Sequence, residues 1–290
     1  MTPPTVLLAT LCLNEMEWLP KLYEQHRDWP GLVRWVFVEA ADTEYRRANP
    51  DMVDDRGLSV DGTTEFLADL HQRDNRVTHV PHGFSGNPDP AKGKCEARQR
   101  YLDVADSLGP PPSYLVTLDA DEFYTHEHQR LIPLFMDSFP EAVSFVFHRR
   151  EVWRPPSLSH TPLMAHEVVG GFWGIPCCHW WRYVPGMHYG DCHNTPTGPD
   201  GRPMNDRPVF LNDRPDAPQM VHLGFAAGER TRLAKNRYYA GRGEGRTDHR
   251  DWYVRSRAAW RHWTPGMSLP RDARVAPYTG PVPECFSDQR

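Results

Sequence analysis

Only six cysteines, Cys12, Cys95, Cys177, Cys178, Cys192 and Cys285, occur in the 290 residues, and their spacing is irregular. Such a set forms no disulfide framework; free thiols in a reducing compartment account for it, which gives a cytoplasmic expectation. Long apolar runs are missing too. The run Val6 to Leu13 has eight residues, no basic flank before it and Asn14-Glu15 after it, so it reads as a first strand and not a leader. No stretch approaches the ~20 apolar residues that a bilayer-spanning helix needs. Glycine is absent from Ala9 to Glu15, where nucleotidyltransferases usually carry a phosphate loop, and this weakens that class. No internal repeat is visible, and the formal net charge of −5 is modest.

What is present is enough apolar content, 39% hydrophobic residues, to bury the core of one large α/β domain with a C-terminal extension. The most informative stretch is Ser113-Tyr114-Leu115-Val116-Thr117-Leu118-Asp119-Ala120-Asp121-Glu122-Phe123-Tyr124. An apolar run that follows three prolines and runs into three carboxylates is the pattern of a buried parallel strand delivering acid to its carboxyl end. Ligands of open α/β sheets bind at that edge. On an extended chain Asp119 and Asp121 share a face. Two hard oxygen donors there suit Mg²⁺ or Mn²⁺ better than zinc.

The surroundings continue the pattern. Strands are expected at residues 6–13, 33–38, 76–80 and 114–118, with helices at 18–29, 64–72 and 94–108 between them. This β-α-β-α-β-α-β order predicts a mostly parallel sheet and brings Glu39, which closes the second strand, to the same edge as the acidic triplet. Residues 40–60 read as an irregular active-site loop. Lys92, Lys94 and Arg98 fall at the start of the third helix, where free backbone N–H groups favour an anion; for Lys92 a solvated basic face is an equal reading. A helix at 127–137 and a strand at 142–147 follow, and regular periodicity fails from 154 to 219. A short strand, Met220-Val221-His222-Leu223-Gly224-Phe225, then precedes a helix at about 230–239 that contains Lys235, and one more helical stretch is expected at 252–263.

The series resembles the inverting family 2 glycosyltransferases of the GT-A fold. The residues that carry the likeness are Thr10-Leu11-Cys12-Leu13-Asn14-Glu15, Glu39, the Arg98 helix, Leu118-Asp119-Ala120-Asp121-Glu122, and the His222 strand followed by Lys235, over residues 5–240. The resemblance implies a three-layer α/β/α sandwich and a nucleotide-sugar donor, UDP by the family's habit. It implies a donor site of Thr10, Asn14, Glu39, Lys94, Arg98, Asp119 and Lys235, and a divalent metal on Asp119, Asp121 and His222. Negative charge building on a departing diphosphate is what such a metal and neighbouring cations stabilise. Lys235 reaches the diphosphate or decorates its helix, with equal weight. Inversion requires a carboxylate that takes the acceptor's proton. Gly170-Gly171-Phe172-Trp173 has no acid directly after it, so the candidates are Asp191, Glu167 and Glu151, with Asp191 the choice and a turn aspartate its alternative.

A catalytic domain over residues 1–245, with a donor half to 125 and an acceptor half from 126, is expected to precede a basic aromatic extension, 246–290. Residues 229–274 hold 12 Lys and Arg against 5 Asp and Glu, while the rest of the chain holds 21 against 33. Basic and aromatic residues mixed in this way would track a nucleic-acid backbone, hold an anionic membrane surface peripherally, or cover the donor site. The acceptor is therefore open between a glycan, a lipid-linked glycan and a modified base in DNA. A second reading is a zinc-stabilised binding module on Cys177, Cys178, His179, His188, Cys192 and His193, against which the adjacency of the first two cysteines counts.

Overall fold

The computed structural model describes residues 4–151, 164–166, 180–190, 194–205, 208–210, 217–224, 228–241, 275–277 and 282–289. Its centre is a seven-stranded sheet in the order β10-β6-β9-β4-β1-β2-β3. These strands are β1 (Val6–Cys12), β2 (Leu32–Ala41), β3 (Val77–Phe84), β4 (Tyr114–Thr117), β6 (Ser144–Val146), β9 (Trp180–Arg182) and β10 (Val209–Phe210). The first four pair in parallel, as do β6 and β10, whereas β9 runs antiparallel between β4 and β6. A fully buried run such as Val6–Ala9 is what a parallel strand covered on both faces requires.

Alternate side chains of β1 enter two cores. Val6 and Leu8 join one cluster with α1 (Leu19–His26), α3 (Thr63–Arg73) and α5 (His126–Asp137); Leu7 and Ala9 join another with α4 (Pro90–Ser107). The result is a layered α/β/α fold with a mostly parallel sheet. Phe286, in a last turn of 3-10 helix over Glu284–Gln289, belongs to the first cluster.

Among the elements that depart from expectation, two are instructive. Residues 43–48 form α2 (Thr43–Ala48), capped by Asp42, whose Oδ1 accepts from Tyr45 N at 2.8 Å. This helix buries none of its residues, so it leaves no apolar period in the sequence. The other is β9, three residues long, which becomes a strand through partners on both sides. A separate sheet joins β5 (Glu122–Phe123), β7 (His148–Glu151) and β11 (Gln219–His222), and β8 (Met164–His166) pairs with β12 (Val275–Pro277). The last helix, α6 (Glu229–Gly241), follows β11. The expected helix at 252–263 lies outside the described residues, as does most of the basic extension and its boundary at 245.

Candidate active site

Parallel strands β1, β2 and β4 end on one edge, and the acidic segment turns there. It is not extended. Glu122 N donates to Asp119 O at 3.0 Å, closing a turn over 119–122, and the Glu122 carboxylate accepts from Asp119 N at 2.9 Å. β4 stops at Thr117, so the expectation that Asp119 and Asp121 share the face of one strand is overturned by this turn. The two carboxylates meet different partners.

Asp119 is half exposed and faces the guanidinium of Arg98, Nη2 to Oδ1 at 3.7 Å, from the buried side of α4. Asp121 is buried, with 5% of its side chain exposed. His222 Nε2 stands 3.5 Å from its Oδ1, and Lys235 Nζ stands 3.4 Å from its Oδ2. Burial alone would raise this acid's pKa; the charges and hydrogen bonds of Lys235 and His222 outweigh it and hold the carboxyl well below its usual range.

Local structure explains the meeting. β5 pairs antiparallel with β11 in a register that sets Glu122 opposite His222, and Leu223 N donates to Asp121 O at 2.8 Å. Gly224 lets the imidazole lie where it does, because a Cβ there would stand 2.5 Å from His222 Cε1 and 2.8 Å from Nε2. Lys235 is aimed by helix α6, whose backbone is fixed next door: Asn49 Nδ2 donates to Ala234 O at 3.0 Å, and Tyr238 Oη donates to Asp42 Oδ2 at 2.8 Å. Lys94, on the first turns of α4, sits 5.2 Å over the Tyr238 ring, so it braces α6.

The other expected residues organise the floor. Asn14 has a left-handed backbone, φ 56°, and is tied to the following loop on two sides: its N–H donates to Ser59 Oγ at 2.9 Å, and its Oδ1 accepts from Val60 N at 2.9 Å. Glu39 is fully buried, and its Oε1 accepts from Ser59 N and from Thr64 Oγ1, both at 2.7 Å, while Oε2 lies 3.1 Å from His79 Nε2. Both side chains hold the 58–64 loop against the sheet edge. Thr10 lies inside the core and accepts from Trp35 Nε1 at 3.1 Å; the structure does not bring it to the site. Asp191 and Glu167 lie outside the described residues, as do Cys177, Cys178, His179, Cys192 and His193.

Three groups stood within the quoted motifs without a role of their own. Glu15 follows Asn14 directly and sits in the field of Lys235, Asp121, Asp119 and Asp61. Burial pushes its carboxyl up to about 8, with the neighbouring acids adding to the rise and Lys235 opposing it. Burial also lifts Glu122 to about 8, helped by the charge of Asp119. Gly224 is the third, and its place two residues beyond His222 was its only signal.

The donor set bears on a divalent cation. Among the described residues no group of three or more His, Cys, Asp and Glu side chains is placed to hold a metal ion, so the expected set of Asp119, Asp121 and His222 is not gathered as one. One carboxylate oxygen and one imidazole nitrogen, 3.5 Å apart, do converge. A carboxylate and an imidazole would serve a divalent cation only with phosphate oxygens and water completing its shell, and the imidazole makes the pair a poorer match for Mg²⁺, which takes oxygen ligands. No helix among the described residues is long and apolar enough to cross a membrane.

No family model matches the chain, and no curated protein matches it. Among solved structures it is similar to S. aureus TarS 1-349, at 12% identity over 81% of this chain and 72% of that one, TM-score 0.43. It is similar to the same fragment in complex with UDP at 11% identity over 88% and 71%, TM-score 0.43. For the fragment in complex with UDP-GlcNAc the match covers 51% of this chain and only 35% of that one, at 16% identity and TM-score 0.35. These likenesses assign no role to any residue of the chain.

Proposed function

We propose that the chain is a glycosyltransferase that moves a sugar from a nucleotide-diphosphate donor, UDP-linked by the family resemblance, to a hydroxyl acceptor. One observation carries this reading. At the carboxyl edge of a parallel sheet, a buried carboxylate, Asp121, is gripped by His222 and Lys235, and a buried arginine, Arg98, faces the next acid. Such an edge receives a nucleotide, and such a mixture of acid and cation receives a diphosphate. His222 and Asp121 would hold Mg²⁺ or Mn²⁺, which when bound supplies charge to the diphosphate; Arg98 and Lys235 meet the same negative charge as the leaving group departs. Asn14 and Glu39 shape the nucleotide pocket through the 58–64 loop that they anchor.

An inverting outcome follows from the resemblance, and Asp191, chosen among Asp191, Glu167 and Glu151 because the family's usual acid is missing, would be the acceptor's base under this reading. Calorimetric titration of UDP, GDP and CDP, with and without Mn²⁺, tests it. Metal-dependent binding of one nucleotide that disappears in Asp121→Ala is the expected result. A wild-type protein that binds none of the three under either condition overturns the reading.

A further inference from the structure

Each oxygen of the Asp121 carboxylate already has a nitrogen partner, His222 Nε2 at 3.5 Å from Oδ1 and Lys235 Nζ at 3.4 Å from Oδ2, and the two partners are held in different ways. His222 is fixed by the β5–β11 pairing and by the Leu223 N to Asp121 O hydrogen bond of 2.8 Å. Lys235 is anchored at its root. Its helix is fastened at Ala234 by Asn49, at Tyr238 by Asp42 and Lys94, and before its first turn by Glu17, whose Oε2 accepts from Gly228 N at 2.7 Å. The ammonium, by contrast, ends a flexible four-carbon stem, and 39% of the side chain is exposed. The anchor is rigid and the charge can swing.

We infer that Lys235 is a built-in counter-ion for Asp121, exchanged between that carboxylate and the donor's diphosphate. Without ligand, the ammonium neutralises a carboxylate that burial would otherwise penalise. With a nucleoside diphosphate present, the ammonium gains a second anionic partner and leaves Asp121 Oδ2 to a divalent cation. A divalent ion alone must therefore displace a tethered competitor, while the same ion arriving with the nucleotide need not. Each ligand then strengthens the other's binding by the same factor, since coupling between two ligands is reciprocal. This inference rests on the nucleotide-diphosphate reading for the second partner of Lys235, and on geometry alone for the first.

The test measures free Mn²⁺ by its electron paramagnetic resonance signal in titrations of the full chain, with and without UDP, for wild type, Lys235→Met and Lys235→Gln. Both substitutions lie at a half-exposed side chain, and equal thermal unfolding of the three proteins verifies that the fold is kept. The expected result is that Mn²⁺ alone binds either variant about 3- to 10-fold more tightly than wild type, while UDP binds it about 10-fold more weakly. Mn²⁺ affinity that is unchanged or weaker in both variants overturns the inference. Failure of UDP to bind wild type overturns the donor reading instead; tighter Mn²⁺ binding in the variants would still establish Lys235 as the competitor at Asp121.

Discussion

Asp121 and Phe123 are two residues apart, yet the regions they face are built from opposite kinds of interaction. On the front, Asp121 meets His222 and Lys235, side chains that can change partner. On the back, Phe123 meets rings that cannot: Phe286 at 5.0 Å, His26 at 6.0 Å and Trp18 at 6.5 Å between centroids. The next residue is clamped as well. Tyr124 N donates to His26 Nε2 at 3.1 Å, its carbonyl accepts from Gln25 Nε2 at 3.0 Å, and its hydroxyl accepts from Trp180 Nε1 at 3.1 Å. A turn that presents exchangeable charge thus rests on a surface of fixed packing, and the two regions should fail differently when damaged.

The largest expected effect comes from the back. Phe286 is fully buried against Phe123 and Trp18, and truncating such a ring costs about 3–5 kcal/mol. Denaturant unfolding of Phe286→Ala should show that loss, with nucleotide affinity of the folded protein changed less than about threefold. Affinity that falls as far as stability would mean that front and back are one unit.

Acid provides the next. Burial, offset only in part by the hydrogen bond to Leu22 O and by Glu284 against His126, depresses the His26 imidazole to about 3. The unfolded chain takes up that proton near 6.5, so the folded state loses stability as pH falls from 6.5 towards 3. At pH 4.5 the loss from this group is about 2–3 kcal/mol. Unfolding free energies of wild type and His26→Gln at pH 7 and pH 4.5 check it: the variant should start lower and fall less. Equal falls would show that the back of the turn is not sealed around a neutral ring.

On the front, Asp121→Asn keeps the volume and removes the charge. Its partners hold this buried carboxyl well below its usual range, so the charge contributes stability at neutral pH and its removal should lower the unfolding free energy, by less than Phe286→Ala does. Binding of UDP in Mn²⁺ should weaken by about 30-fold or more, roughly 2 kcal/mol. Asp119→Asn, at a half-exposed carboxylate facing Arg98, should weaken it less, and calorimetry of the two variants ranks them. Equal losses would erase the distinction between the two acids.

How much of this was legible follows the same divide. The buried parallel strands announce themselves because a strand covered on both faces must be apolar throughout, as Leu7–Ala9 and Trp35–Val38 are. The edge at which they end could be named for the same reason. Partnership across the fold could not. Lys235 and His222 stood out as residue types, but Lys235 reaches Asp121 over 114 positions of chain, a pairing that only the placement of α6 creates. The common face expected of Asp119 and Asp121 fails because the residues that would continue the strand instead close a turn. β9 was missed because three residues carry no period, and its tryptophans, Trp180 and Trp181, are buried by neighbours distant in sequence.

Gly224 offers the finest probe of the front. It has no strained backbone to relieve, so Gly224→Ala acts through space alone: the new methyl group would stand 2.5 Å from His222 Cε1 and 3.3 Å from Asp121 Oδ2. The imidazole is the side that can yield, since the Asp121 backbone is held by Leu223 N. Rotating the ring away separates Nε2 from Oδ1 and leaves Lys235 as the partner of Asp121. Mn²⁺-dependent UDP binding should fall by about 10-fold, about 1.4 kcal/mol, while Tm changes little because the aromatic surface behind is untouched. A variant that binds as wild type does would show that His222 makes no contribution through Asp121, and the front would then reduce to one acid and one swinging cation.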